Sequence, residues 1–136
     1  MKEIVKKLVE AEREMASEKG QFLLFALFLR EDAPDLWDVV VAAPWVTKSK
    51  AGSLKYISRK LRLALNPNEL VKLSRIVLID RDNPGLAALQ QAIDVEHDTT
   101  EIKDSNFFGI QIRHAYLITS RGEKKSAPNK SMQRTR

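Results

Sequence analysis

Eight successive residues, Phe22–Leu29 (FLLFALFL), are all apolar. A run this short, rich in aromatic and branched side chains, suits a strand covered on both faces, since successive side chains of a strand point to opposite sides. The sequence therefore predicts a central strand, with other strands beside it and packed layers above and below. Glu31-Asp32-Ala33-Pro34-Asp35 then reads as a turn. Leu36–Ala43 (LWDVVVAA) reads as a second strand ended by Pro44, so the two form an antiparallel hairpin. On that second strand Trp37, Val39 and Val41 share one face, and Leu36, Asp38, Val40 and Ala42 the other.

Residues 3–18 read as an amphipathic helix, with Ile4, Leu8, Ala11 and Met15 at helical spacing and Gly20 as its stop. Glu12 falls within the widened apolar arc of that helix and is expected at its rim, in water. Lys48–Leu65 reads as a second helix with the stripe Leu54, Ile57, Leu61 and Leu65, broken by Asn66-Pro67-Asn68. Arg75–Asp80 (RIVLID) is a buried-type strand. Asn83 and Pro84 open a third helix through Leu86, Leu89 and Ile93. Val95–Ser105 looks polar and irregular. Phe107–Ser120 is extended, as one strand or two joined near Gly109. This order implies an α+β domain: a mixed four- to five-stranded sheet with an N-terminal hairpin and three helices packed on it. The alternative is a three-layer α/β sandwich, which the apolar run at Phe22–Leu29 favours.

Composition narrows the functional classes. The chain has no cysteine, which excludes disulfides, thiolate metal sites and cysteine nucleophiles. Its two histidines, His97 and His114, make a histidine-rich metal site unexpected, so neither a metal nor a cofactor is predicted. The N-terminus carries acids among its apolar residues and gives no export signal. The longest apolar run falls far short of a membrane span, so a cytoplasmic protein without membrane contact is expected. The net charge of +5 arises in residues 121–136, which hold six basic residues against one acid; residues 1–120 sum to zero. Large apolar residues are almost absent from that tail, so residues 1–120 are expected to form one domain and 121–136 a disordered basic appendage.

Four constellations are candidate sites. No acid occurs between Asp38 and Glu69, and Lys55, Arg59 and Arg62 fall on one side of the second helix, a row that suits polyanion binding. Asp80–Asp104 holds seven acids against Arg81 and Lys103, so the neutral body is polarised along the chain. Asp80 and Asp82 lie between the end of a strand and the start of a helix, where ligands of α/β sheets commonly bind and where two carboxylates suit Mg²⁺. His114 shares a strand face with Ile110, Ile112, Tyr116 and Ile118 if that strand is unbroken. Asp38, if buried and paired with Arg113 or His114, would be the best catalytic candidate. Trp37 and Trp45 are interface candidates if exposed.

The string IVLIDRD resembles, over about eight residues, the first motif of the haloacid-dehalogenase-like phosphohydrolases. Asn83-Pro84 then departs from that motif, and the later lysine and acidic pair have no match. Separately, QFLLFALFLREDAPDLWDVVVAAPWV, LSRIVLIDRDNP and FFGIQIRHAYLITS resemble a set of small bacterial proteins of unknown function, over about residues 20–120. That resemblance implies a bacterial cytoplasmic domain and carries no activity. The leading expectation is a non-enzymatic protein-interaction module, with a protein partner or a second copy of itself. The alternatives are a metal-dependent hydrolase or nuclease using Asp80 and Asp82, and a nucleic-acid binder using Lys55, Arg59 and Arg62.

Overall fold

In the computed structural model, which describes residues 1–122, helix α1 (Lys2–Lys19) leads into the hairpin β1 (Leu24–Arg30) and β2 (Trp37–Ala42). A short α2 (Pro44–Lys48), a long α3 (Lys50–Ala64) and a one-turn α4 (Pro67–Leu70) carry the chain to β3 (Leu73–Leu78). Then come α5 (Pro84–Ala92), β4 (Thr100–Phe107) and β5 (Ile110–Ser120). The five strands form one sheet in the order β3-β2-β1-β5-β4. Only β2 and β3 are parallel, as their helical crossover requires; the other pairs are antiparallel. The fold is α+β with a mixed sheet, and β1 is its central strand, as its sequence predicts.

Two apolar clusters explain why β1 is apolar from Leu24 to Leu29. Phe25 and Leu27 join α1 and α3 residues Leu8, Met15, Ile57 and Leu61 on one face. Leu24, Ala26 and Phe28 join Leu86 and Leu89 of α5 on the other. Each fully buried Phe or Leu contributes about 1.5–3 kcal/mol, and β1 supplies them to both clusters. Helices thus cover both faces, as in the layered alternative. The alternation expected for β2 holds: Val39 and Val41 face α1 and α3, while Val40 and Ala42 face α5.

Several expectations change. A separate short α2 precedes Ser49, and the expected second helix is α3, which begins at Lys50. Its buried stripe runs through Ser53, Ile57 and Leu61, whereas Leu54 is 41% exposed. Ser53 takes the inner position because its hydroxyl donates to the Trp45 carbonyl at 3.3 Å. The polar stretch Val95–Ser105 contains most of β4, an edge strand whose charged residues hide the usual alternation. Phe108 and Gly109 make the two-residue turn into β5, both with positive φ (57° and 73°), the conformation tight hairpins need. Two register shifts interrupt the β1–β5 pairing, so the faces of β5 exchange along its length: Ile112 packs with α5, but Ile118 with α1 and α3.

Arg121 belongs to the folded body, contrary to the expected boundary. Its backbone N–H donates to Leu23, and its guanidinium meets Asp94 and Glu96, each at 2.8 Å. The expected disordered tail beyond residue 122 lies outside the described residues. Among the described residues no helix is long and apolar enough to cross a membrane.

Candidate functional site

Asp80 and Asp82 stand exposed on the loop after β3. Asp80 Oδ1 is 2.8 Å from Lys50 Nζ at the start of α3, so here the basic and acidic regions meet. Asn83 caps α5, accepting the Gly85 N–H at 2.8 Å. Among the described residues no group of three or more His, Asp and Glu side chains is gathered to hold a metal.

Asp38 is buried, on the sheet face toward α5. Its partners are Arg30 (Nε to Oδ2, 3.1 Å) on β1 and Arg75 (Nε to Oδ1, 3.3 Å) on β3, not Arg113 or His114. The strand pairing explains this. Asp38 lies opposite Arg75 on the parallel neighbour, and Arg30 lies close by on the antiparallel one. Two guanidiniums meet the carboxylate oxygens, which ties three strands together. His114 lies on the other side of the sheet, where its ring packs at a tilt on Tyr116 (4.7 Å) and Trp37 (5.4 Å) and its Nε2 meets Glu101 at 2.5 Å. The register shift next to it separates it from Ile112, with which an unbroken strand would have placed it.

The tryptophans are structural. Trp37 is only 7% exposed and packs on His114 and Tyr116. Trp45 is half-buried, edge-on to Phe22 and Tyr56, and its indole donates to the Gly20 carbonyl at 2.9 Å. Gly20 has φ 124°, and a Cβ there would sit 3.3 Å from the Trp45 ring, so glycine both ends α1 and admits the indole.

Lys55, Arg59 and Arg62 are exposed on α3 as expected. Arg62 donates to Ser58 at 2.8 Å, and Arg59 lies 5.8 Å from the centre of the Tyr56 ring. The same helix is partly neutralised by α1, because Lys60 binds Glu14 (2.7 Å) and Glu18 (3.0 Å), and the Tyr56 hydroxyl donates to Glu18. Burial, and then that bond, push the Tyr56 phenol up to about 12. A broad groove of about 1380 Å³ runs along α1, and none of the sequence-derived candidates lines it.

The sequence reading missed two features. One is Glu12, which is fully buried instead of wetted at a rim. Its Oε1 lies 2.6 Å from His97 Nδ1, and its Oε2 accepts the Thr119 hydroxyl at 2.7 Å. The His97 N–H in turn donates to Thr119 at 3.2 Å. His97 holds φ 53°, a left-handed backbone whose cost these contacts offset. Burial raises the Glu12 carboxyl above its ordinary value; the bonds from Thr119 and His97 pull it back only in part. The outer His97 nitrogen faces Glu96 at 3.8 Å, and Arg121 holds Glu96, so the chain of contacts ends on an ion-paired rim. A carboxylate inside an apolar helical arc was the available signal.

The other is the position of β3. Its composition is that of an interior strand, but β3 forms the end of the sheet. Ile76, Val77, Leu78 and Ile79 are all only partly buried, on both faces. No known protein family, curated protein or solved structure matches this chain.

Proposed function

We propose that this chain is a protein-interaction module that docks a partner along the outer edge of β3. The support is the mismatch between what β3 is made of and where it lies. Strands buried on both faces read as continuous apolar runs, and edge strands normally carry charge, proline or a bulge that discourages pairing. The segment Ile76–Ile79 has no charged residue, yet it lies at the sheet's end with its apolar side chains half-covered. A strand added there would satisfy the free backbone groups and cover both sets of side chains at once.

The test places a photo-crosslinking amino acid at Ser74, exposed on β3, and separately at Lys103, exposed on the opposite edge strand. In the native cell, discrete adducts are expected from position 74 and not from 103. No adduct from 74, or the same diffuse products from both, overturns the reading.

A further inference from the structure

We infer that this chain binds an unpaired nucleic-acid strand on the surface made by the end of α1, by α2 and by the outer side of α3. That surface is separate from the β3 edge, and binding there does not depend on the docking proposed above.

Two half-buried aromatic rings stand at its centre. Trp45 of α2 and Tyr56 of α3 meet edge-on, 5.9 Å between ring centres. The Trp45 indole N–H is anchored on the Gly20 carbonyl, and the residue lines a small cavity of about 300 Å³. Lys19, at the end of α1, and Lys48, at the end of α2, line the same cavity. Its volume is at the lower limit of small-molecule sites, which suits one planar base and excludes a protein element. Cations also surround Tyr56: Lys19 Nζ lies 4.9 Å, Lys60 Nζ 5.7 Å and Arg59 Cζ 5.8 Å from its ring centre. Lys19 thus belongs to both groups and joins the cavity to α3.

The charge around these rings is largely uncompensated. Lys48, Lys55, Arg59 and Arg62 are exposed, and among the described residues none of them forms an ion pair with a carboxylate. The residue order explains this, since no acid occurs between Asp38 and Glu69. The acids that α1 brings to the surface are Glu14 and Glu18. Both are held by Lys60, and Glu18 also accepts the Tyr56 hydroxyl. From that pair the row Lys55, Arg59 and Arg62 continues along about 10 Å of helix.

Cations beside accessible aromatic rings are what binders of single strands combine: the cations meet phosphates and the rings stack with bases. A duplex would meet the cations but keeps its bases stacked inside. An acidic protein would also meet the cations and leave the cavity unfilled.

The experiment titrates the full chain with an oligothymidine, followed by the anisotropy of a labelled strand and by tryptophan emission with an unlabelled one. Trp37 is only 7% exposed, so a change in emission reports Trp45. The strand is expected to bind and quench; the same strand annealed to its complement should not quench. Lys48→Gln with Arg59→Gln should weaken binding about tenfold and reduce the slope of log affinity against log salt by about 1.4, the loss of two single-strand phosphate contacts. Lys2→Gln with Lys6→Gln removes the same charge from exposed positions on α1 and should change affinity by less than about twofold. No binding, or binding without quenching, overturns the inference. So do equal losses in the two double variants, which would assign the affinity to net charge and to the basic residues beyond 122. An oligoglutamate that displaces the strand and quenches as strongly overturns it in favour of an acidic protein partner.

Discussion

β3 and β4 end the same sheet on opposite sides, and they treat their unpaired backbone in opposite ways. β4 carries Glu101, Lys103 and Asp104 within eight residues, and Asp104 turns left-handed (φ 51°) in mid-strand. Charge and a local kink are what keep an edge from pairing with a foreign strand. β3 has neither device over Ile76–Ile79; its charges stand at its ends and at Arg75, which Asp38 engages. The contrast extends into the layers behind. The β5–β4 side is tied by polar contacts, Glu12 with His97 and Thr119 and Arg121 with Asp94 and Glu96. The β3 side is tied by apolar packing, by Asp38 between Arg30 and Arg75, and by the Lys50–Asp80 pair. One edge carries charge and a kink, and the other is made of the material of a sheet interior.

The strongest way to break this comparison is to loosen β3 from β2. Asp38→Ala leaves the half-buried Arg30 and its neighbour Arg75 facing a lost carboxylate. Arg75 is half-exposed and Arg30 keeps Asp32 at 3.3 Å, so neither cation is stranded in the core and the loss is about 2 kcal/mol. Urea unfolding should show that loss, and Asp38→Asn, which keeps the volume and an acceptor, a smaller one. A loss under about 1 kcal/mol would mean that Asp38 is not what fastens β3.

The next largest effect is on the β4 side. A Cβ on Gly85 would sit 2.7 Å from Phe108 Cδ1, in the turn joining β4 to β5. Phe108 and Phe107 both pack on Phe28, so the ring has little freedom to retreat. Gly85→Ala should destabilise by about 1–3 kcal/mol, the usual cost of overpacking. Equal stability of the two proteins in urea would show that the hairpin yields, and that β4 is less firmly fixed than its contacts imply.

How much of this contrast was legible in the sequence depends on how local its cause is. The central place of β1 and the alternation of β2 follow from residue order alone, because burial on two faces leaves a periodic trace. The edge position of β3 leaves none: IVLI reads as interior in any fold, and only the tertiary strand order puts it outside. β4 was missed for the converse reason, since an edge strand that defends itself with charge looks like a loop. Glu12 lay in an apolar arc, but its burial depends on Thr119 and His97, more than eighty residues away. The faces of His114 and Ile112 depend on register shifts in β5, which only pairing with β1 creates. For Asp38 the residue order leaves exposure and burial both open, and its burial and its partners follow from the strand neighbours.

Acid titration sharpens the comparison through Glu12. Its folded carboxyl binds a proton more tightly than the unfolded one, because burial penalises the charge. The folded chain is then favoured most with Glu12 protonated. That contribution is complete below the ordinary glutamate value and is lost as pH rises through the folded one. Glu12→Gln removes this dependence while keeping an oxygen for Thr119. Other carboxylates, including Glu18 and Glu69 with their lowered values, give the opposite slope in both proteins. The stability difference between wild type and variant, followed by urea midpoint against pH, should therefore shift toward the variant as pH rises above the ordinary glutamate range. Parallel curves would show that Glu12 binds its proton equally tightly in the folded and unfolded chains, and that the polar side is not pH-sensitive through it.

The smallest effect tests the defended edge itself. Asp104 holds a left-handed backbone at a cost that glycine would not incur, so Asp104→Gly should raise stability by a few tenths to about 1 kcal/mol in urea. A position where the easier residue is available but an acid stands instead argues that the acid does something besides folding. If that role is to keep β4 from pairing, the more stable variant should also scatter more light at high concentration. Pairing through β3 should not change, because the two edges are separated by the whole width of the sheet. A variant that gains stability and stays as soluble as the wild type would leave β4 protected by Glu101, Lys103 and the kink, which glycine keeps. The difference between the edges would then not rest on the charge of Asp104.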